Sequence, residues 1–221
     1  YLYRGTYARA AEHPHIRLAM LGHLRHVEES LARRVASGLG VDALPDAPPT
    51  AAAVLDLPPS PALRVIGNGK NTLEGRAVGI LIADGSDGAA LRAVQQAATS
   101  AGATVKLVAL KVGGATLSDG TPVAADGQLA GTPSIVFDAV VLLLSEAGAQ
   151  QLASEADAVD FVRDAFGHLK AIGVDAGGRA LLALARVPND AGVVDALDTN
   201  AFLAAARTRQ WSREASVRVQ P

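Results

Sequence analysis

The stretch RAVGILIAD, residues 76–84, decides how the rest of the chain is read. Seven of its first eight residues are apolar or Gly, and Gly85-Ser86-Asp87-Gly88 stops it abruptly. A short continuous apolar run closed by Gly and Asp reads as a strand buried on both faces. Leu91, Val94, Ala98 and Ala101 then recur at helical spacing, and TVKLVAL (104–110) starts a second strand. This is a β-α-β unit, whose right-handed crossover belongs to a parallel sheet with helices on its faces.

Toward the C-terminus the alternation continues. Asp119-Gly120 marks a hairpin turn inside 112–127. Asp138 opens another apolar strand, and residues 155–169 have helical period with Ala156, Val159, Val162, Phe166 and Leu169 on one side. AIGV (171–174) reads as a short strand ended by Asp175-Ala176-Gly177-Gly178, and 179–186 fits helix or strand. An edge strand at 193–195 and a closing helix at 199–207 complete the pattern. Strands alternating with helices predict an α/β fold, a flavodoxin-like doubly wound parallel sheet.

Toward the N-terminus the character changes. Ile16, Met20, Leu24, Val27, Leu31 and Val35 step by three or four, predicting one helix or two broken between 22 and 27. Gly38-Leu39-Gly40 ends the run as a C-cap. Six prolines between 41 and 61 read as an extended linker. The expected organisation is helices over 1–40, a Pro-rich linker over 41–74 and the α/β domain over 75–221. Some forty residues are too few to fold alone, so the helical stripe is expected to need a partner surface.

Composition narrows the function. The 221 residues are 49% hydrophobic and only 4% aromatic, which suits helices packed closely on a sheet. A net charge of −2 with interspersed signs points away from nucleic acid, and no apolar run approaches a membrane span. There is no Cys, which excludes disulfides, thiolate metal sites and a cysteine nucleophile. The chain begins with Tyr and shows no signal peptide, so a cytoplasmic fragment of a longer protein is expected.

Several motifs fail as chemistry. Gly69-Lys70 lacks the Gly and the Ser or Thr of a phosphate loop, where Arg64 and Asn71 stand. Ser145 follows an apolar strand, but Leu143 and Ala147 occupy the Gly positions of a nucleophile elbow. His13, His15, His23 and His26 have no metal-ligand spacing. The Gly85–Gly88 loop heads a helix and is generically an anion site. Asp84 and Asp87 would repel a flavin phosphate there. Trp211 reads as a buried anchor for the terminus.

Two stretches carry a family resemblance. HLRHVEESLARRVASGLGV (23–41) resembles the helical end of the haem domain in large-subunit catalases, and GRAVGILIADGSDGAAL (75–91) resembles the start of their extra C-terminal domain. Asp119-Gly120-Thr121, Ala130-Gly131-Thr132-Pro133-Ser134, Asp138-Ala139-Val140, His168-Leu169-Lys170 and Gln210-Trp211-Ser212-Arg213 follow in the family's order.

The resemblance implies the tail of a tetrameric haem enzyme that converts hydrogen peroxide to water and dioxygen, with the haem ligands upstream. Its partners would be its own haem domain and neighbouring subunits. No cofactor and no metal are expected in this chain itself.

The resemblance also implies kinship with the PfpI-type and class I amidotransferase superfamily, which carries a Cys on the turn after a central strand. Here that turn falls at Asp175 and Ala176, without a thiol, and the partner carboxylate survives as Asp87. Asp87 equally suits the start of a helix, where an acid complements the macrodipole. The expected role is therefore structural. The alternatives are a free-standing PfpI-like hydrolase or glyoxalase, and a small-anion binding module.

Overall fold

The computed structural model describes residues 13–49 and 57–217. The chain divides into two units, Tyr1–Val65 and Ile66–Pro221.

In the first unit the stripe is carried by two helices, the second of the two alternatives. Helix α1 spans Pro14–Arg25 and α2 spans Glu29–Leu39. Pro14 opens α1, where its missing N–H leaves no bond unmade. Gly40 ends α2 with φ of 68°, the left-handed turn that favours glycine. The stripe is not the buried face. Leu21, Gly22, Ala32 and Ala36 are buried, while Ile16, Met20 and Val27 are exposed. The Pro-rich segment begins by folding back. Arg25 Nη1 donates to the Pro45 carbonyl at 2.8 Å, and His26 Nε2 lies 2.7 Å from the Pro48 carbonyl.

The second unit is the α/β domain. Its strands are β1 (Ala77–Ile82), β2 (Thr104–Ala109), the small hairpin β3 (Ala115–Thr116) and β4 (Pro122–Val123), β5 (Gly127–Gln128), β6 (Ala139–Leu143), β7 (Ile172–Val174) and β8 (Val193–Asp195). The main sheet has the order β5-β2-β1-β6-β7-β8 with every pairing parallel. Without its short edge strand β5, this is the flavodoxin order.

Period-two alternation divides the core between the faces. Val78, Ile80, Ile82, Val141 and Leu143 pack with Leu91, Val94 and Ala98 of α3 (Gly88–Ser100) and Phe202 of α7 (Thr199–Ala206). Leu81, Val140 and Leu142 pack on the other face. They meet Ala149 and Leu152 of α4 (Glu146–Ala153), Phe161 and Phe166 of α5 (Ala156–Gly167), and Leu181 of α6 (Ala176–Leu184). Each fully buried aliphatic or Phe side chain is worth about 1.5–3 kcal/mol.

The segment 179–186, ambiguous in sequence, belongs mostly to helix α6. Helix α4 and strand β5 had no sequence signal of their own, both being short and weakly patterned.

Candidate functional site

In an open α/β sheet, ligands bind outside the carboxyl ends of the strands, where the strand order reverses. Here that point lies between β1 and β6, so the loops after β1, β6 and β7 form the candidate site. All three sequence-derived site residues fall on these loops.

Asp87 is the N-cap of α3. Its Oδ1 accepts from the Ala89 and Ala90 N–H groups at 2.7 and 3.0 Å. Asp175 is the N-cap of α6, with Oδ1 accepting from Gly178 N–H at 2.7 Å and Oδ2 from Leu144 N–H at 2.8 Å. Burial raises the Asp175 carboxyl above its usual range, the two N–H donors oppose this, and the nearby Asp195 charge adds to it. Ala176 is the first residue of α6 and brings no polar side chain. Asp175 has φ −92° and ψ −167°, ordinary extended backbone rather than the strained turn that thrusts a nucleophile forward. No hydrogen bond joins Asp87 to Asp175.

The serines of the site are also engaged. Ser145 caps α4: its Oγ accepts from Gly148 N–H at 3.0 Å and donates to the Asp84 carbonyl at 2.7 Å. A hydroxyl whose proton is held by a peptide carbonyl has no base to activate it. Ser86 is fully buried, lies 2.6 Å from the Leu143 carbonyl, and accepts from Ala83 N–H, so it ties the end of β1 to the end of β6.

A Cβ on Gly177 would stand 2.0 Å from the Leu144 carbonyl oxygen, so α6 sits directly on the end of β6 because residue 177 has no side chain. The β3–β4 hairpin covers the loop after β1: Gly85 N–H donates to Thr116 O, Thr116 N–H to Asp84 Oδ1, and Ser118 N–H to Ser86 O. A crevice of about 80 Å³ beside Asp84, Lys111 and Gln151 is left. Pockets for ordinary small-molecule ligands run to roughly 300–1,000 Å³.

The amino end of the sheet, which sequence reasoning had passed over, carries the buried charge. Lys170 and Arg213 are 1% and 2% exposed. Arg213 holds Asp190 through Nε at 2.6 Å and Nη2 at 2.8 Å, donates to the Lys170 carbonyl at 2.6 Å, and lies 4.2 Å above the Phe166 ring. Arg209 pairs with Asp138 at 3.2 Å. Trp211 is 38% exposed, so Arg213 and not Trp211 anchors the terminus. The available signal was Lys170, a charge set against the apolar run that becomes β7.

Fold and site together define a flavodoxin-like α/β domain whose candidate side chains at the carboxyl end of the sheet are engaged as helix caps. Residues 74–209 match the family described as the C-terminal domain found in long catalases, and the chain belongs to that family. It is 42% identical over 216 residues to catalase C of Rhizobium meliloti (strain 1021), covering 95% of this chain and 31% of that protein. Catalase HPII of Mycobacterium avium is 34% identical over 180 residues, covering 80% of this chain and 25% of the relative. Catalase HPII of Pseudomonas aeruginosa is 30% identical over 203 residues, covering 90% and 28%. The chain thus spans less than a third of the length of these curated relatives and corresponds to the C-terminal region of a large catalase.

Proposed function

We propose that this chain is the non-catalytic accessory region of a tetrameric haem catalase, which dismutes hydrogen peroxide through haem held elsewhere in the parent. Residues 1–40 would end the haem domain, 41–74 would link, and 75–221 would pack against that domain and neighbouring subunits in the cytoplasm. The region would thereby stabilise the assembly, with chaperone-like behaviour and the shaping of peroxide access as further roles.

The observation that carries this reading is that the candidate side chains at the carboxyl end of the sheet are already engaged. Asp87, Ser145 and Asp175 are bound to backbone groups, and no thiol is present. The histidines do not fit a haem site. Among the described residues no group of His, Asp and Glu is arranged to hold a metal ion, and His26 and His168 face the carbonyls of Pro48 and Asp164.

The test pairs two measurements. The isolated chain is expected to show no peroxide dismutation and no hydrolase or glyoxalase activity. The parent shortened before residue 66 is expected to keep its haem spectrum while losing thermal stability. Hydrolase or glyoxalase turnover by the isolated chain, abolished by Asp87→Ala, would replace this reading with that of a PfpI-like enzyme.

A further inference from the structure

Three residues at the end of α1 converge on the start of the Pro-rich segment. Gly22, Arg25 and His26 are spaced by three and four, so they share one face of the helix. Arg25 Nη1 donates to the Pro45 carbonyl at 2.8 Å, and His26 Nε2 meets the Pro48 carbonyl at 2.7 Å. A carbonyl oxygen only accepts, so that ring nitrogen carries a proton. Gly22 is buried between them. A Cβ there would stand 3.0 Å from the Asp46 carbonyl oxygen and 3.1 Å from Pro48 Cδ. Glycine inside a helix is costly, and here the missing side chain is what admits the backbone of 46–48.

What these residues grip is Pro45-Asp46-Ala47-Pro48. The segment is exposed with a period of three: residues 43, 46 and 49 face solvent, while 44, 45, 47 and 48 are half-buried. Three residues per turn is the repeat of polyproline II, which has no hydrogen bonds of its own and offers its carbonyls to outside donors. Carbonyls three apart lie on one edge, and those of Pro45 and Pro48 are the two that receive donors. The end of α2 turns the chain toward this position, with Gly40 left-handed and Val41 N–H donating to the Ala36 carbonyl at 2.9 Å.

We propose that the face formed by Gly22, Arg25 and His26 is a docking seat for a polyproline-II segment, occupied by the chain's own residues 45–48. Helical spacing supplies two donors and a bare backbone patch, and a Pro-x-x-Pro strap supplies the matching edge. The Pro-rich run then has two parts. Up to Pro48 it belongs to the helical unit, and the connection to the α/β domain starts after that residue.

The 221-residue chain has no Cys, so nitroxide labels on Ser37→Cys and Pro49→Cys, both exposed positions, report on the strap alone. Electron spin resonance should give one narrow distance between them. Arg25→Ala with His26→Ala should roughly double the width of the distribution while leaving the helical circular dichroism unchanged, since Ala favours helix. Pro45→Ala with Pro48→Ala leaves both helices untouched and should widen it as well. A broad distribution before either pair of substitutions, or a width unchanged by the arginine and histidine pair, would overturn the seat. Should that pair cost helix, the proline pair decides: widening supports the seat and an unchanged width removes it.

Discussion

The two ends of one sheet are built by different means. At the carboxyl end, short side chains (Ser86, Asp87, Ser145, Asp175) each bond to backbone a few residues away or to an adjacent strand end. At the amino end, long cations reach across the fold, with Arg213 spanning 43 residues to the Lys170 carbonyl and Arg209 spanning 71 to Asp138. Open α/β sheets place ligands at the carboxyl end. Here the side chains of that end are engaged in local capping, and the buried charge at the other end fastens the C-terminal segment. An ionisable group is thus not in itself a mark of chemistry in this domain. Its position relative to the strand ends decides what it does.

The contrast can be broken from either side. Arg213→Ala should have the largest effect, about 3–4 kcal/mol of stability in urea unfolding, because it leaves Asp190 without its cation and Phe166 without its cover. Burial opposes the Asp190 charge, but bonds from Arg213 and Gly192 outweigh it and hold the carboxyl below 3.8. That contribution is complete above the unfolded carboxylate value and is lost as pH falls through the lower folded value. The gap between wild type and variant should accordingly narrow in strong acid.

Gly177→Ala comes next at about 2–3 kcal/mol, since the new methyl meets the Leu144 carbonyl and α6 must move off β6. A smaller effect is expected for Asp175→Ala, about 1–2 kcal/mol, for the lost cap of α6 and the freed Leu144 N–H. Near-neutrality of that substitution in thermal unfolding would show the carboxylate to be dispensable as a cap and reopen a role in binding. The parent's peroxide dismutation rate should be unchanged by it.

The α/β alternation, the hairpin at Asp119-Gly120 and the sheet's core were legible because each is written in short-range periodicity and turn chemistry. RAVGILIAD could be read as a buried strand without knowing its neighbours. Likewise Asp87 could be placed at a helix start from Gly and Asp alone, and the absence of Cys removed the thiol nucleophile outright, whereas Asp175 was legible only as a turn after a strand. The N-terminal stripe was legible as a shared face, but periodicity does not show which face is covered within this chain. Ile16 and Met20 share a face with Leu24, yet Leu21 and Gly22 are the buried residues of α1.

The sequence by itself determined the main alternation of strands and helices, the acid at the start of α3 and the lack of nucleophilic sulfur, all properties fixed within a few neighbouring residues. Only the tertiary structure decided that Gly177 lets α6 sit on the end of β6 and that Lys170, Ser134, Arg213 and Asp190 meet at the opposite end. Those contacts join residues tens of positions apart, and a charge's solvation and partners exist only once the sheet has brought them together.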